Sequence, residues 1–183
     1  SAKATLSPSG WMALGGGCPT VARVVYAESA GVVLTDVEAW HIEDLAPRMR
    51  EADRLEIWAS SHALPHDGLV AAVSRSREKW AVEKNGRCIC LFGVVPMNLL
   101  TGVGSPWLLG SEDLHVIKIP FLRHSRPIIE SMLERYEILS NHVHISNTLS
   151  LAWLAWLKFT IAPPRPYGVE GLLFHPVTRK RGE

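Results

Sequence analysis

Cysteine is scarce in this 183-residue chain: Cys18, Cys88 and Cys90 make an odd count with no CxxC pair. That excludes a full disulfide framework and, with no ligand partners at metal spacing, a zinc-type site; buried thiols in a reducing cytoplasm are expected. Cys88-Ile89-Cys90 lies in a strand-like run, so alternation should point both thiols to one face. A charge excess is missing too. Nineteen basic against eighteen acidic residues leave a formal charge of +1, which argues against a nucleic-acid partner. No stretch of 18 apolar residues is free of charge, so no membrane-spanning helix is expected. The opening SAKATLSPSGWMALGGGCPT lacks the basic start and apolar run of a signal peptide. No internal repeat is visible.

What is present suffices for one domain with a full core: 47% hydrophobic residues, 20% charged and seven Trp. Ser, Gly and Pro crowd residues 1–20, including Gly15-Gly16-Gly17, and read as a flexible arm or linker. VARVVY and GVVL within residues 21–34 read as a strand pair. A short extended piece at 39–42 and then a helix follow, with Leu45, Met49, Ala52 and Leu55 at helical spacing. Pro65-His66-Asp67-Gly68 is a turn in which Asp67 can cap a helix running to about residue 79. Two strands, 80–84 and 87–95, flank Asn85-Gly86, the pair favoured in a type I′ hairpin. A loop at 98–104, a short strand at 107–109 and a helix from Pro120 to about Leu139 come next. Pro163-Pro164-Arg165-Pro166 stops the last helix before a closing strand at 172–174. Strands alternating with helices after an antiparallel hairpin indicate an α/β fold with a mixed sheet.

The most informative stretch is RYEILSNHVHISNTLSLAWLAWLKF, residues 135–159. It reads as a helix end, a strand, an Asn147-Thr148 start signal and a second helix. This strand-Asn-helix unit, with the order of elements over residues 36–176, resembles the acetyl-CoA-dependent N-acetyltransferase (GNAT) superfamily. A narrower likeness lies in Ser105-Pro106-Trp107-Leu108-Leu109 with Ser111 and Asp113, in MLERYE at 132–137, and in Asn147-Thr148. These resemble the small GNAT-like internal virion proteins of short-tailed phages, which are grouped with particle morphogenesis.

The resemblance implies a GNAT-like mixed central sheet flanked by helices, with the arm and the extra strand pair added in front. It also implies site residues. In the family, a Tyr seven positions after the Asn protonates the departing thiolate of coenzyme A; here that position is Leu154. A Gly usually precedes the final Phe of the last helix; here it is Lys158. The family's glycine-rich coenzyme loop corresponds to residues 110–126, which hold no glycine after Gly110 and include Pro120, Phe121 and Leu122. Lys118, Arg123 and Arg126 remain as partners for phosphates. Backbone groups near Trp107 and Leu109 would bind pantetheine, and Asn147 would support the coenzyme.

From the residues themselves, Glu112 and Asp113 are either a general base acting through water or loop acids. His142 and His144 share one strand face, as metal ligands, as a base (His144) or as structural groups. Trp153 and Trp156 form a helical stripe that suits either a core or a partner surface. The leading expectation is a phage- or prophage-derived virion assembly or protein-binding module. It would have a degenerate acetyl-CoA site, no cofactor or metal, and protein partners (virion components or itself); it would sit in the host cytoplasm or in a phage particle. The alternative is an acyl-CoA-dependent N-acetyltransferase with a divergent coenzyme loop; a small-ligand sensor comes third.

Overall fold

β-Branched runs pair early in the chain. The strands β1 (Val24–Ala27) and β2 (Val32–Thr35) form an antiparallel pair, as the sequence suggested. The computed structural model describes residues 24–27, 31–98 and 100–183, with 24–27, 116 and 118–123 described as backbone alone; the expected arm at 1–20 lies outside the described residues.

The segment expected to be extended at 39–42 is instead helical, α1 (Ala39–Leu45). The Glu38 N–H donates to His41 Nδ1 at 2.8 Å, closing the first turn. The helical spacing of Leu45, Met49, Ala52 and Leu55 does not make one helix. Pro47 opens a 3-10 turn (Ala46–Arg48), Met49 becomes extended and bridges Ser111, and α2 (Glu51–Ser61) starts afresh. Pro65, not Asp67, begins α3 (Pro65–Arg75), because a first-turn proline forfeits only an amide that has no helical partner.

The Asn85-Gly86 hairpin forms as read, joining β3 (Glu78–Lys84) to β4 (Arg87–Asn98), with φ of 52° and 73° at the two turn residues. A register shift opposite Val82 and Glu83 sets the cysteines apart. The bulge puts one extra residue into β4, so Cys88 joins one hydrophobic cluster and Cys90 the other. Both are buried and free, as expected, but they do not share a face. Burial pushes the Cys88 thiol up to about 12 and raises Cys90 as well.

The expected short strand at 107–109 is longer, β5 (Val103–Gly110), and a 3-10 turn (Glu112–Ile117) leads into α4 (Lys118–Arg135). This helix ends before Leu139, which is a fully buried member of β6 (Ile138–His144). The MLERYE motif is mainly packing: Met132, Leu133 and Tyr136 are core residues, and the Tyr136 ring lies where a side chain on Gly104 would project. After α5 (Thr148–Trp156) come β7 (Thr160–Ile161), β8 (Arg165–Tyr167) and β9 (Leu172–Lys180).

Among the described residues the strand order is β1-β2-β3-β4-β5-β6-β9-β7, with β8 on β9, and only the β5–β6 pair is parallel. Alternate residues of β4 fill opposite clusters. Cys90, Phe92 and Val94 face α4 and α5, while Leu91 faces α1–α3. No helix among the described residues is long and apolar enough to cross a membrane.

Candidate functional site

The strands β5 and β6 hold together only at their start, where Val103 pairs with Ile138 and Gly104 with Leu139. Beyond that the two strands diverge, and Asn141 Nδ2 donates across the gap to the Pro106 carbonyl at 2.7 Å. The splay opens a cleft of about 90 Å³, room for several waters. One side is walled by Ile128, Met132, Ser150 and Leu154 from α4 and α5, the other by Trp107, His142 and Glu56. The opening therefore runs through the sheet from one face to the other.

Glu56 is the residue that sequence reasoning missed. It sits on α2, whose N-terminal end is tied to the end of β5 by a buried clamp. The Arg50 N–H donates to the Gly110 carbonyl at 2.8 Å, and the Gly110 N–H donates to Asp53 Oδ2 at 2.8 Å. Arg50 in turn grips both Asp53 oxygens, at 2.9 and 2.6 Å. One turn further on, Glu56 Oε1 accepts from the His144 N–H at 2.9 Å and from Asn147 Nδ2 at 3.0 Å. Oε2 is left for the cleft that the residue lines. Burial pushes this carboxyl up to about 7, and Asp53 adds to the rise, while the bonds from Asn147 and His144 and the charge of Arg50 oppose it. No sequence signal marks a Glu on an ordinary helix; only the crossing of α2 over the splay does.

Asn147 opens α5, as its start signal predicted, and it does two things. Its Oδ1 accepts from the Ser150 N–H at 3.3 Å, capping α5, and its Nδ2 holds Glu56. Leu154 and Ser150 share a helix face toward the cleft, so the hydroxyl available there is that of Ser150. The helix nevertheless ends in a left-handed turn at the position of the expected glycine. Lys158 takes φ of 64°, Lys158 N–H reaches the Ala155 carbonyl, and Phe159 N–H reaches that of Leu154, which is a Schellman ending without its glycine.

The other candidates are dispersed. Trp107 lines the cleft with its Nε1 on Ser76 Oγ at 2.7 Å, whereas Leu109 packs on the α1–α3 side. Glu112 and Asp113 stand outside the cleft lining: Glu112 accepts weakly from the Glu51 N–H at 3.4 Å, and Asp113 meets Arg48 at 3.3 Å. The His144 ring is buried, bonded to Ser146 Oγ at 2.7 Å and edge-on to Phe174. His142 lines the cleft, stacked on Tyr167, and among the described residues no group of His, Cys, Asp or Glu is arranged to hold a metal. Arg126 lies over the Trp156 ring at 4.6 Å. Lys118 and Arg123 fall in the first two turns of α4, where the backbone alone is described. Trp153 is half-buried and donates to Ser125 Oγ at 3.3 Å, while Leu149 and Trp156 are exposed, so the stripe splits between core and surface.

No protein-family model matches the chain, and a search of curated proteins gives no match. Solved structures do match. A spermidine N-acetyltransferase from Vibrio cholerae, in complex with CoA and spermine, aligns with a TM-score of 0.60 at 11% identity, over 82% of this chain and 96% of that one. A ribosomal-protein-S5-alanine acetyltransferase from Vibrio fischeri gives 0.62 at 12% identity, over 88% and 98%. A GNAT-family acetyltransferase from Bacillus anthracis gives 0.60 at 7% identity, over 84% and 96%. The chain thus has the GNAT acetyltransferase fold. At these identities the likeness is one of fold, and none of these neighbours bears on a phage particle.

Coenzyme A is the group this fold implies, and the fit differs along its length. The unpaired edges of β5 and β6 form a slot for an extended amide chain, and the apolar wall of Ile128, Met132 and Leu154 suits an acyl thioester. At the phosphate end, the Gly110 and Ser111 amides are already taken by Asp53 and by the Ile89 carbonyl. Phosphates would therefore rest on the N-terminal turn of α4, through the helix's own positive end.

Proposed function

We propose that this protein is an acyl-CoA-dependent N-acyltransferase with Glu56 as its general base. The observation that supports this best is the carboxyl of Glu56, held with one oxygen free in a cleft that joins the two faces of the sheet. Acyl-CoA supplies a thioester carbon open to attack by an amine. Glu56 Oε2 takes the proton of the incoming ammonium, which leaves the nitrogen lone pair free to form the C–N bond as the C–S bond breaks. A carboxylate that titrates near neutrality accepts that proton better than an ordinary one. Asn147 and the His144 amide keep the acid oriented, and the Ser150 hydroxyl is the proton source nearest the departing sulfur on the α5 wall.

The test is calorimetric titration of acetyl-CoA and coenzyme A into the full chain, followed by thiol release with a panel of amines. Saturable coenzyme binding with amine-dependent thiol release is expected. A chain silent to coenzyme A, with no thermal shift beyond that given by adenosine alone, would overturn this reading.

A second reading has its own support. Leu154 offers no proton, two loop amides are occupied, and Leu149 and Trp156 are exposed on α5. In it the fold serves as a protein-binding module of phage assembly, and the same titration returns no coenzyme binding.

A further inference from the structure

A second charged group stands beside the cleft, against a residue that lines it, and the transfer chemistry leaves it unused. Arg165 on β8 is exposed, and its Nη2 lies 3.4 Å from His142 Nε2. Among the described residues no carboxylate pairs with it. The same His142 ring stacks on Tyr167 with centroids 3.9 Å apart and 7° between planes. His142 lines the cleft beside Glu56, and Glu56 itself is bonded to the backbone of His144, two residues along the same strand. The two charges are therefore anchored two residues apart along one strand, Glu56 on the backbone N–H of His144 and Arg165 on the ring of His142. A carboxylate and a guanidinium anchored to the same strand are complementary in charge to a small molecule with an ammonium at one end and a carboxylate at the other.

The elements that carry the two charges are joined. The turn after β8 docks on the C-terminal end of α2, the helix that carries Glu56. The Glu170 N–H donates to the Ala59 carbonyl at 3.2 Å, and a Cβ on Gly168 would sit 2.3 Å from that same oxygen. The close approach demands glycine, as does its φ of 75°. Tyr167 and its cross-strand partner Leu172 remain 39% and 38% exposed, and they supply an apolar rim beside the cation.

We propose that the α2-facing half of the cleft is an acceptor site for a free α-amino acid with an apolar or aromatic side chain; this rests on the acyltransferase reading. The ammonium faces Glu56, the carboxylate pairs with Arg165, and the side chain lies against Tyr167. A polyamine is disfavoured, because its second ammonium would meet the guanidinium. The α-amine of a peptide is disfavoured too, since its carboxyl is spent in an amide and gives Arg165 no charge.

The experiment titrates phenylalanine, phenylalaninamide and spermidine separately into the native chain, Arg165→Ala and Arg165→Lys, with coenzyme A run in parallel on each. Phenylalanine is expected to bind at least tenfold more tightly than its amide. That ratio should fall to within twofold in Arg165→Ala and recover in part in Arg165→Lys, while coenzyme A affinity stays unchanged. Equal affinity for phenylalanine and its amide, a preference that survives Arg165→Ala, or no phenylalanine binding at millimolar concentration overturns the proposal. Phenylalanine binding without coenzyme binding sinks the acyltransferase reading and leaves the amino-acid site standing. Coenzyme binding with spermidine preferred does the reverse. Because Arg165 is exposed, the variants should keep the native melting temperature, and Arg165→Gln replaces any that does not.

Discussion

Replacing Glu56 by Gln should stabilise the protein at alkaline pH and abolish acyl transfer in the same molecule. The carboxyl rises from 4.5 to about 7 on folding, and at about 1.4 kcal/mol per unit this disfavours the ionised form by roughly 3 kcal/mol. The sign follows from proton counting. Between the two values the native state holds a proton that the unfolded chain has lost, so stability declines as pH rises through 4.5 to 7 and is flat outside that window. Gln keeps an oxygen for the His144 amide and Asn147 Nδ2 but carries no charge. Its advantage over Glu should therefore be near zero at pH 4 and about 3 kcal/mol at pH 8. Urea denaturation of both proteins at the two pH values measures this. The other titrating groups near the site, Asp53 on the same helix and His142 on β6, are common to both proteins and drop out of the difference. If the proposed transfer is catalysed, the rate in the native protein should climb with pH to a plateau above about 7, and in the Gln variant it should be lost. A Gln variant whose advantage over the native protein is no larger at pH 8 than at pH 4 would refute the buried, ionisable role of Glu56. Retained activity would refute its role as base.

Two other changes follow from the same geometry. Asn147→Ala removes the α5 cap and one of the two donors to Glu56, so it should cost on the order of 1–2 kcal/mol. It should also move the pH–rate midpoint upward, because a bond that favours the charged carboxylate is gone; a stability loss with an unmoved midpoint would show that Asn147 is a cap and nothing more. Lys158→Gly should stabilise by roughly 0.5–1 kcal/mol, since a lysine at φ of 64° carries left-handed strain that outweighs the extra unfolded-state entropy of glycine. Thermal denaturation reads it directly, and a lower melting temperature would show that the Lys158 side chain contributes more than its backbone costs.

The parts of the fold legible in the sequence are those written in local chemistry. Asn85-Gly86 announces its hairpin because a type I′ turn needs two residues at positive φ, and Asn147 announces α5 because a side-chain oxygen must meet an orphan amide. The misreadings have equally local causes. Leu45, Met49, Ala52 and Leu55 keep helical spacing across a proline break, but only Leu45 and Met49 join the buried cluster under α1–α3, and Ala52 and Leu55 stay half-buried. Leu139 is apolar enough to extend a helix, and pairing with β5 on one side and β9 on the other makes it a strand residue. The Cys88–Cys90 alternation fails at a bulge, whose signal lies in the partner strand. Leu154 and Lys158 look like damage when matched to a family pattern. In place, one leaves Ser150 as the hydroxyl on the cleft wall, and the other adopts the glycine conformation regardless.

The site was hidden for a deeper reason: it belongs to one helix crossing a gap rather than to any motif. At its start α2 is locked to the end of β5 through Arg50, Asp53 and Gly110. In its middle Glu56 reaches β6 and the cap of α5, and its end carries the β8 turn through Ala59. A buried ion pair such as Arg50–Asp53 adds little net stability against an apolar substitute, but breaking one side leaves a charge stranded. Its consequence here is positional. It fixes the height of α2 over the splay, and with it the reach of Glu56 into a cleft that the α4–α5 face enters from behind. In the proposed reaction the carboxyl stands where an acyl donor entering from one face and an amine entering from the other would meet, and transfer rather than binding alone is the chemistry that such a convergence suits.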